Sequence, residues 1–475
     1  MSINRATLEL FAPLDRSAPL RPQLEDAIRA AITGGGVPPG TRLPASRVLA
    51  EALRVSRGVV SEAYAQIAAE GWIEVRRGAA PLVRDIKGTV PLTWRLGSSP
   101  PQCDGRDSGA AAANIKGTVP LRLGLGPRVD LTATAPDLSA FPRRAWSAAL
   151  RRALAELEDA ALDYADPRGD AELRRELAAY LVRVRGLAAG DVVLTSGYTQ
   201  GLWLTCRVLA ARGARRVAVE DPSLDDAWAT IRSAGLEVVG VPVDEDGLRV
   251  DALDADADAD AVLVTPAHQF PTGAVLAPER RRALLAWGGI VIEDDYDSEY
   301  RYDRAPVGTL QRLAPDRVVY LGTASKTLAP ALRLGWMVAP PDLAEAVARE
   351  RWAVDSGGSS IPARAYARLL AAGEVDRHLR RTRRDYRQRR DRLVAALEQR
   401  GFEVSGVAAG LHLLLRLPPG TDEEAVVARL AERRIAIRGL QSYGLSPQPP
   451  GLVVGYGRLP LAAIDAAADA LADAV

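Results

Sequence analysis

Of the 61 basic residues in this 475-residue chain, only Lys87, Lys116 and Lys326 are lysine. Arginine cannot replace lysine where a free amine must attack a carbonyl, because its guanidinium stays protonated. Lys326 lies in Ser325-Lys326-Thr327, just after an apolar run, and Arg333 follows in LAPALRLGW. Asp294 closes the apolar run GIVIEDDY, with Tyr296 two positions on. Ser196-Gly197-Tyr198 follows another apolar run and opens a helix-like stretch, where backbone amides and a helix N-terminus suit an anion. A lone lysine is usually a surface residue, and a lone aspartate usually a cap. As a set, an amine, a carboxylate, a phenol and anion donors are what a phosphorylated pyridine aldehyde requires.

These residues need strand ends to position them. DVVLTSG (191–197), RRVAVEDP (215–222), LEVVGVPV (236–243), DAVLVTPA (260–267), GIVIEDDY (289–296) and RVVYLGTAS (317–325) read as short apolar strands, several separated by helical stretches rich in Ala, Leu and Arg. That alternation predicts an α/β domain with a mostly parallel sheet covered on both faces. Ligand residues then belong at the C-terminal strand ends, where Asp294, Lys326 and the Ser196-Gly197 turn fall. A long helix over 376–399 and strands near 410–417 and 452–456 predict a smaller C-terminal subdomain.

The first 84 residues are organised differently. Leu20, Leu24, Ile28 and Ile32 recur every four residues, and GGGVPPGTRLP (34–44) interrupts the pattern. Residues 46–53 read as a second helix. Ser56 caps a third, whose apolar face carries Val59, Val60, Tyr64 and Ile67. WIEVRRGAAPLVRD (72–85) alternates as two short strands around Gly78. Three helices and a hairpin make a winged helix-turn-helix. Arg47, Ser56, Arg57 and Ser61 stand where base or phosphate contacts with double-stranded DNA are expected, and Arg76, Arg77 and Gly78 form the wing. For any single arginine the plain alternative is a solvated charge. The 11 arginines and 8 acidic residues of 1–84 give only a mild basic bias.

At this point the chain resembles known families. PPGTRLPASRVLA (38–50), VSRGVV (55–60) and AYAQIAAEGWIEVRRG (63–78) are similar to the DNA-binding domain of GntR regulators. YADPRGDAELR (164–174), VLTSGYTQG (193–201), VTPAHQFPTG (264–273), IEDDYDSEYRYD (292–303) and LGTASKTLAPALRLG (321–335) resemble the MocR branch, in which such a head is fused to a class I aminotransferase-like domain of fold type I. The resemblance implies pyridoxal 5'-phosphate as cofactor. Lys326 would be the Schiff-base lysine, Asp294 the partner of the pyridine nitrogen and Tyr296 that of the ring oxygen. Arg333, Ser325 and Ser196-Gly197-Tyr198 would bind phosphate. Tyr164 would reach the other subunit's phosphate across a homodimer interface. The expected organisation is a winged helix-turn-helix over 12–84, a linker over 85–125 that repeats IKGTVPL, and an effector and dimerisation domain over 126–475.

Several positions depart from that pattern. Leu224 replaces the aromatic that stacks on the cofactor, with Trp228 one turn later as a candidate substitute. No asparagine is available for the ring oxygen, since HQFPTG places Phe270 beside Pro271. The arginine that clamps a substrate carboxylate aligns with Val453, with Arg438 and Arg458 nearby as candidate substitutes, and a glycine close to it aligns with Thr134. Weak or absent transamination is therefore expected.

The favoured function is a transcriptional regulator that binds operator DNA and senses pyridoxal phosphate, or its aldimine with an amine or amino acid, to control vitamin B6 or amine metabolism. The rival is an active aminotransferase with a vestigial head, and a third reading makes the large domain a dimerisation scaffold. His268, His378 and His412 are scattered and Cys103 and Cys206 incidental, so no metal site is expected. No apolar run of membrane length and no signal peptide is visible, which predicts a cytoplasmic protein, on the nucleoid when bound to DNA.

Overall fold

The computed structural model describes residues 15–16, 20–33, 36–38, 40–69, 73–75, 80–83, 128–164, 166–188, 190–302 and 308–475. The chain divides into two compact units, Met1–Ala112 and Ala113–Val475.

In the first unit, helices span Leu20–Thr33, Ser46–Leu53 and Arg57–Ala69. Strands β1 (Ile73–Glu74) and β2 (Leu82–Val83) pair antiparallel, with Ile73 opposite Val83. The four-residue apolar spacing has a direct packing consequence. Leu24 and Ile28 are buried against Leu49, Val60, Tyr64 and Ile67, each such side chain worth about 1.5–3 kcal/mol. The Ser56 hydroxyl accepts the Val59 N–H at 3.3 Å, which is the cap the sequence implied. The Ser46–Leu53 helix stops at Arg54, whose φ of 52° turns the chain out of the helix. Arg76, Arg77 and Gly78, the expected wing residues, lie outside the described residues.

The second unit opens with β3 (Val129–Asp130) and is built on an eight-stranded sheet. Its strands are β4 (Val192–Thr195), β5 (Arg216–Asp221), β6 (Glu237–Asp244), β7 (Gly247–Leu248), β8 (Ala261–Val264), β9 (Ile290–Asp295), β10 (Val318–Thr323) and β11 (Gly335–Val338). The order across the sheet is β4-β11-β10-β9-β8-β5-β6-β7. The run from β10 through β9, β8 and β5 to β6 is parallel. The antiparallel β11, wedged between β10 and β4, is an element the sequence did not announce.

Alternate residues of one strand face opposite sides, and both sides are buried. Val193, Val319, Leu321 and Met337 pack with Leu202 and Ile231, whereas Leu194, Tyr320 and Trp336 pack with Leu177 and Tyr366. One charge pair lies inside this core. Arg185 Nε and Nη2 reach the two Asp295 oxygens at 2.6 and 3.0 Å, and the Tyr320 hydroxyl donates to Asp295 at 2.7 Å.

The C-terminal portion carries the helix Glu374–Glu398 and an antiparallel sheet. Its strands are β12 (Glu403–Ser405), β13 (His412–Arg416), β15 (Arg438–Gly439) and β16 (Gly451–Gly455), in the order β12-β13-β16-β15. The short β14 (Ile435–Ala436) pairs parallel with β3, joining the two ends of the domain chain. Among the described residues no helix is long and apolar enough to cross a membrane.

Candidate functional site

A cavity of about 1170 Å³ opens beyond the C-terminal ends of the parallel strands. Asp294, Tyr296, Ser325, Lys326 and Arg333 all line it, and Tyr198 enters from the start of the helix Tyr198–Ala211. Residues read from distant stretches of sequence thus converge on one space.

Lys326 lies three residues past β10, and its Nζ donates to the Thr134 hydroxyl at 3.1 Å. Its loop is anchored by His378, whose ring N–H donates to the Thr327 carbonyl at 2.8 Å. Burial lowers the Lys326 pKa, opposed by the carboxylates of Asp294 and Asp297. The neutral, nucleophilic amine is therefore more accessible than on a surface lysine. Thr134, aligned with a glycine in the sequence reading, has φ 60°, the left-handed region that glycine adopts most readily.

Asp294 is buried on β9, and its Oδ1 has no hydrogen-bond partner. Burial raises its pKa well above the usual carboxylate range, and the Asp295 charge adds to this. Lys326 and a hydrogen bond from the Tyr198 hydroxyl act in the other direction. A cationic ring nitrogen placed against Oδ1 would supply the missing partner and favour the carboxylate.

At the opposite end of the cavity, Arg333 sits at φ 51° and donates to the Ser196 carbonyl. A Cβ on Gly197 would lie 3.0–3.2 Å from that guanidinium, so glycine permits the close approach. The Ser196 N–H is already taken by the Gln200 side chain at 2.6 Å, leaving the amides of the helix start to face an anion. The Ser325 hydroxyl accepts from Thr323 at 2.9 Å.

Other expectations meet different surroundings. Tyr296 lines the cavity, but its hydroxyl donates to the His268 carbonyl at 3.1 Å and lies 3.1 Å from His268 Nδ1. Tyr198 contributes its hydroxyl to Asp294 as well as its position at the helix start. Tyr164 is 77% exposed beside Trp352 and is not among the residues lining the cavity. Leu224 lines the cavity, whereas Trp228 is buried with its indole N–H on Ser223 at 2.9 Å. Trp228 therefore belongs to the core. Val453 is fully buried in β16, and Arg458 is drawn to Asp130 at 2.7 Å.

Sequence reasoning missed two features. His268 and His412, 144 positions apart, bring their rings to 4.9 Å. Asp297 holds His268 Nδ1 at 3.0 Å, and the three residues place ligand-type atoms within 4.8 Å of one another. The spacing of histidines along the chain gave no signal of this. The second is the engagement of Arg438, which lies over the Tyr443 ring at 4.1 Å and pairs with Asp225 instead of standing free for a substrate carboxylate. The run EDPSLDD contained the acid but not its partner.

In the DNA-binding head, Arg47, Ser56, Arg57 and Ser61 are all exposed, on or beside the second and third helices.

Fold and cavity together define a domain of the aminotransferase type, and residues 129–473 match the aminotransferase class I and II family. Residues 20–83 match the bacterial regulatory proteins of the gntR family. The pyridoxine biosynthesis transcriptional regulator PdxR of Corynebacterium glutamicum is 34% identical over 444 residues, covering 92% of this chain and 91% of that one. The probable rhizopine catabolism regulatory protein MocR of Rhizobium meliloti is 30% identical over 464 residues, covering 93% and 91%. The kynurenine aminotransferase structure from Pyrococcus horikoshii matches with a TM-score of 0.68 at 25% identity, over 73% of this chain and 90% of that one. The chain belongs to the MocR branch of the GntR family, DNA-binding regulators that carry an aminotransferase-like domain.

Proposed function

We propose that the protein reads operator DNA with its head and senses pyridoxal phosphate, alone or with an amine, in the cavity around Lys326. The observation that carries this reading is the unpartnered Asp294 Oδ1, buried in the same cavity as a lysine amine and an arginine beside a helix start. Pyridoxal phosphate has a group for each: an aldehyde for Lys326, a ring nitrogen for Asp294 and a phosphate for Arg333. When bound, it supplies an electron-withdrawing ring to any amine attached to it.

The chain's own residues do the positioning. Thr134 holds the Lys326 amine, Asp294 would keep a proton on the ring nitrogen, and the Gly197 turn would let Arg333 approach the phosphate. Leu224 and Phe270 give the cavity apolar surface that excludes water. With Val453 inside the core, a carboxylate clamp is lacking at the aligned position, which supports weak or absent transamination. Tyr164, exposed on its own subunit, supports a homodimer in which two heads meet two half-sites. The regulatory target is vitamin B6 synthesis, as the name of the Corynebacterium relative suggests, with amine metabolism as the second candidate.

Fluorescence anisotropy on the protein's own promoter, at fixed salt, tests the proposal. Cofactor-stripped protein should change its DNA affinity when pyridoxal phosphate is added, and Lys326→Ala should abolish that change. Tight binding indifferent to the cofactor in the wild type would count against cofactor sensing.

A further inference from the structure

Among the described residues four cations line the cavity, and their engagements differ. Lys326 holds the reactive amine, and Arg333 belongs to the Ser196-Gly197 turn. Arg434 is likewise engaged. The fourth is Arg438, whose donors are almost fully spent inside the protein. Nη1 and Nη2 grip the two oxygens of Asp225 at 3.2 and 2.8 Å, Nη2 also reaches the Ser442 carbonyl at 3.2 Å, and Nε donates to the Ser442 hydroxyl at 3.1 Å. The guanidinium is further fixed by the Tyr443 ring beneath it.

A guanidinium binds carboxylates because its planar fork matches two oxygens at once. Here Asp225 already fills that fork. The acidic neighbours point the same way, for Asp226 and Glu432 both line the cavity. Asp226 is near enough to Lys326 and Arg438 for both charges to act on it. An incoming carboxylate would have to displace Asp225 and settle beside Asp226.

We propose that Asp225 sets the ligand class of this cavity by occupying Arg438, so that the site accepts primary amines with a neutral or cationic far end and rejects amino acids. The inference rests on the functional reading above and adds the chemistry of the effector. Asp225 is a specificity residue here, acting through Arg438.

The test uses full-length protein loaded with pyridoxal phosphate and titrated with butylamine, 1,4-diaminobutane and 4-aminobutanoate. Binding is followed by cofactor absorbance and by calorimetry. Both amines should bind at least tenfold more tightly than the amino acid. Asp225→Asn should shrink that ratio by tenfold or more, and adding Arg438→Ala should restore it, because the freed arginine is what would hold the carboxylate. A wild-type ratio near one, or a ratio unmoved by Asp225→Asn, overturns the proposal. The wild-type ratio decides by itself where a variant fails to fold. Protein that takes up no cofactor overturns the functional reading and this inference together, whereas a bound cofactor with no preference between acid and amine overturns this one alone.

Discussion

Replacing Arg185 by leucine should expose how much the domain depends on one buried charge pair. Both side chains of Arg185–Asp295 are 2% exposed, and the contact is two-pronged at 2.6 and 3.0 Å. Without Arg185, Asp295 keeps only the Tyr320 hydroxyl among the described residues, while the carboxyls of Glu293 and Asp294 directly precede it in sequence. Breaking a buried pair in this one-sided way costs about 3–5 kcal/mol. At about 2 °C per kcal/mol for a domain of this size, the loss corresponds to roughly 6–10 °C in Tm. Replacing both partners by leucine removes the stranded charge and should recover most of that loss. Scanning calorimetry of wild type, Arg185→Leu and Arg185→Leu/Asp295→Leu gives the three values. A single variant as stable as wild type, or a double variant less stable than the single, would refute the argument.

Arg57→Ala and Arg47→Ala should each weaken operator binding. A base contact costs about 1–3 kcal/mol with relaxed sequence preference, while a phosphate contact lowers the salt slope by about one. Anisotropy across a salt series separates the two, and no change for both would remove the head's arginines from the interface. Glu220 is pushed up to about 7 by burial, against hydrogen bonds from Thr265 and Gln269. Because its folded pKa lies above the ordinary 4.5, its protonated form stabilises the fold at low pH, and that contribution fades as pH rises through about 7. The three bonds all go to Oε2, so Glu220→Gln can keep them; it should equal wild type near pH 4.5 and exceed it at pH 8 in denaturant titrations. A constant difference across pH would contradict the assignment. Gly410→Ala should be far more damaging than Gly401→Ala in thermal melts. Both have positive φ, but an added Cβ at 410 would lie 2.2 Å from His268 and 2.4 Å from Asp297, whereas at 401 it meets nothing. Equal losses would show that the His268 cluster yields freely.

The legible parts of this protein were those fixed by local patterns. Period-four apolar spacing located the first helix, Ser56 marked the cap of the third, and apolar runs located five parallel strands together with β4. Lys326 stood out because lysine is so rare here. The strand β11 was hidden because GWMV runs antiparallel between β10 and β4, a placement that no local pattern encodes. Trp228 had the right type and spacing to face the cavity, but its bond to Ser223 and its core neighbours turned it inward. The Asp225–Arg438 pair and the His268–His412 contact join residues from different elements. Their meeting depends on how the C-terminal sheet lies against the large one, which local patterns do not encode.

The contact between Lys326 and Thr134 ties the cavity to the first residues of the domain. The stretch from Arg128 to Thr134 is where the chain enters the effector domain from the segment that follows the head. It is held by Leu131 N–H on the Ala436 carbonyl at 2.9 Å, Gly455 N–H on the Leu131 carbonyl at 2.8 Å, and Arg458 on Asp130 at 2.7 Å. Three residues beyond Leu131, the same stretch supplies the hydroxyl that holds the reactive amine. When Lys326 engages another group, Thr134 loses its donor, and that loss falls within a few residues of Arg128, where the domain begins. The reactive amine is thus hydrogen-bonded to the stretch by which the chain enters the aminotransferase-like domain.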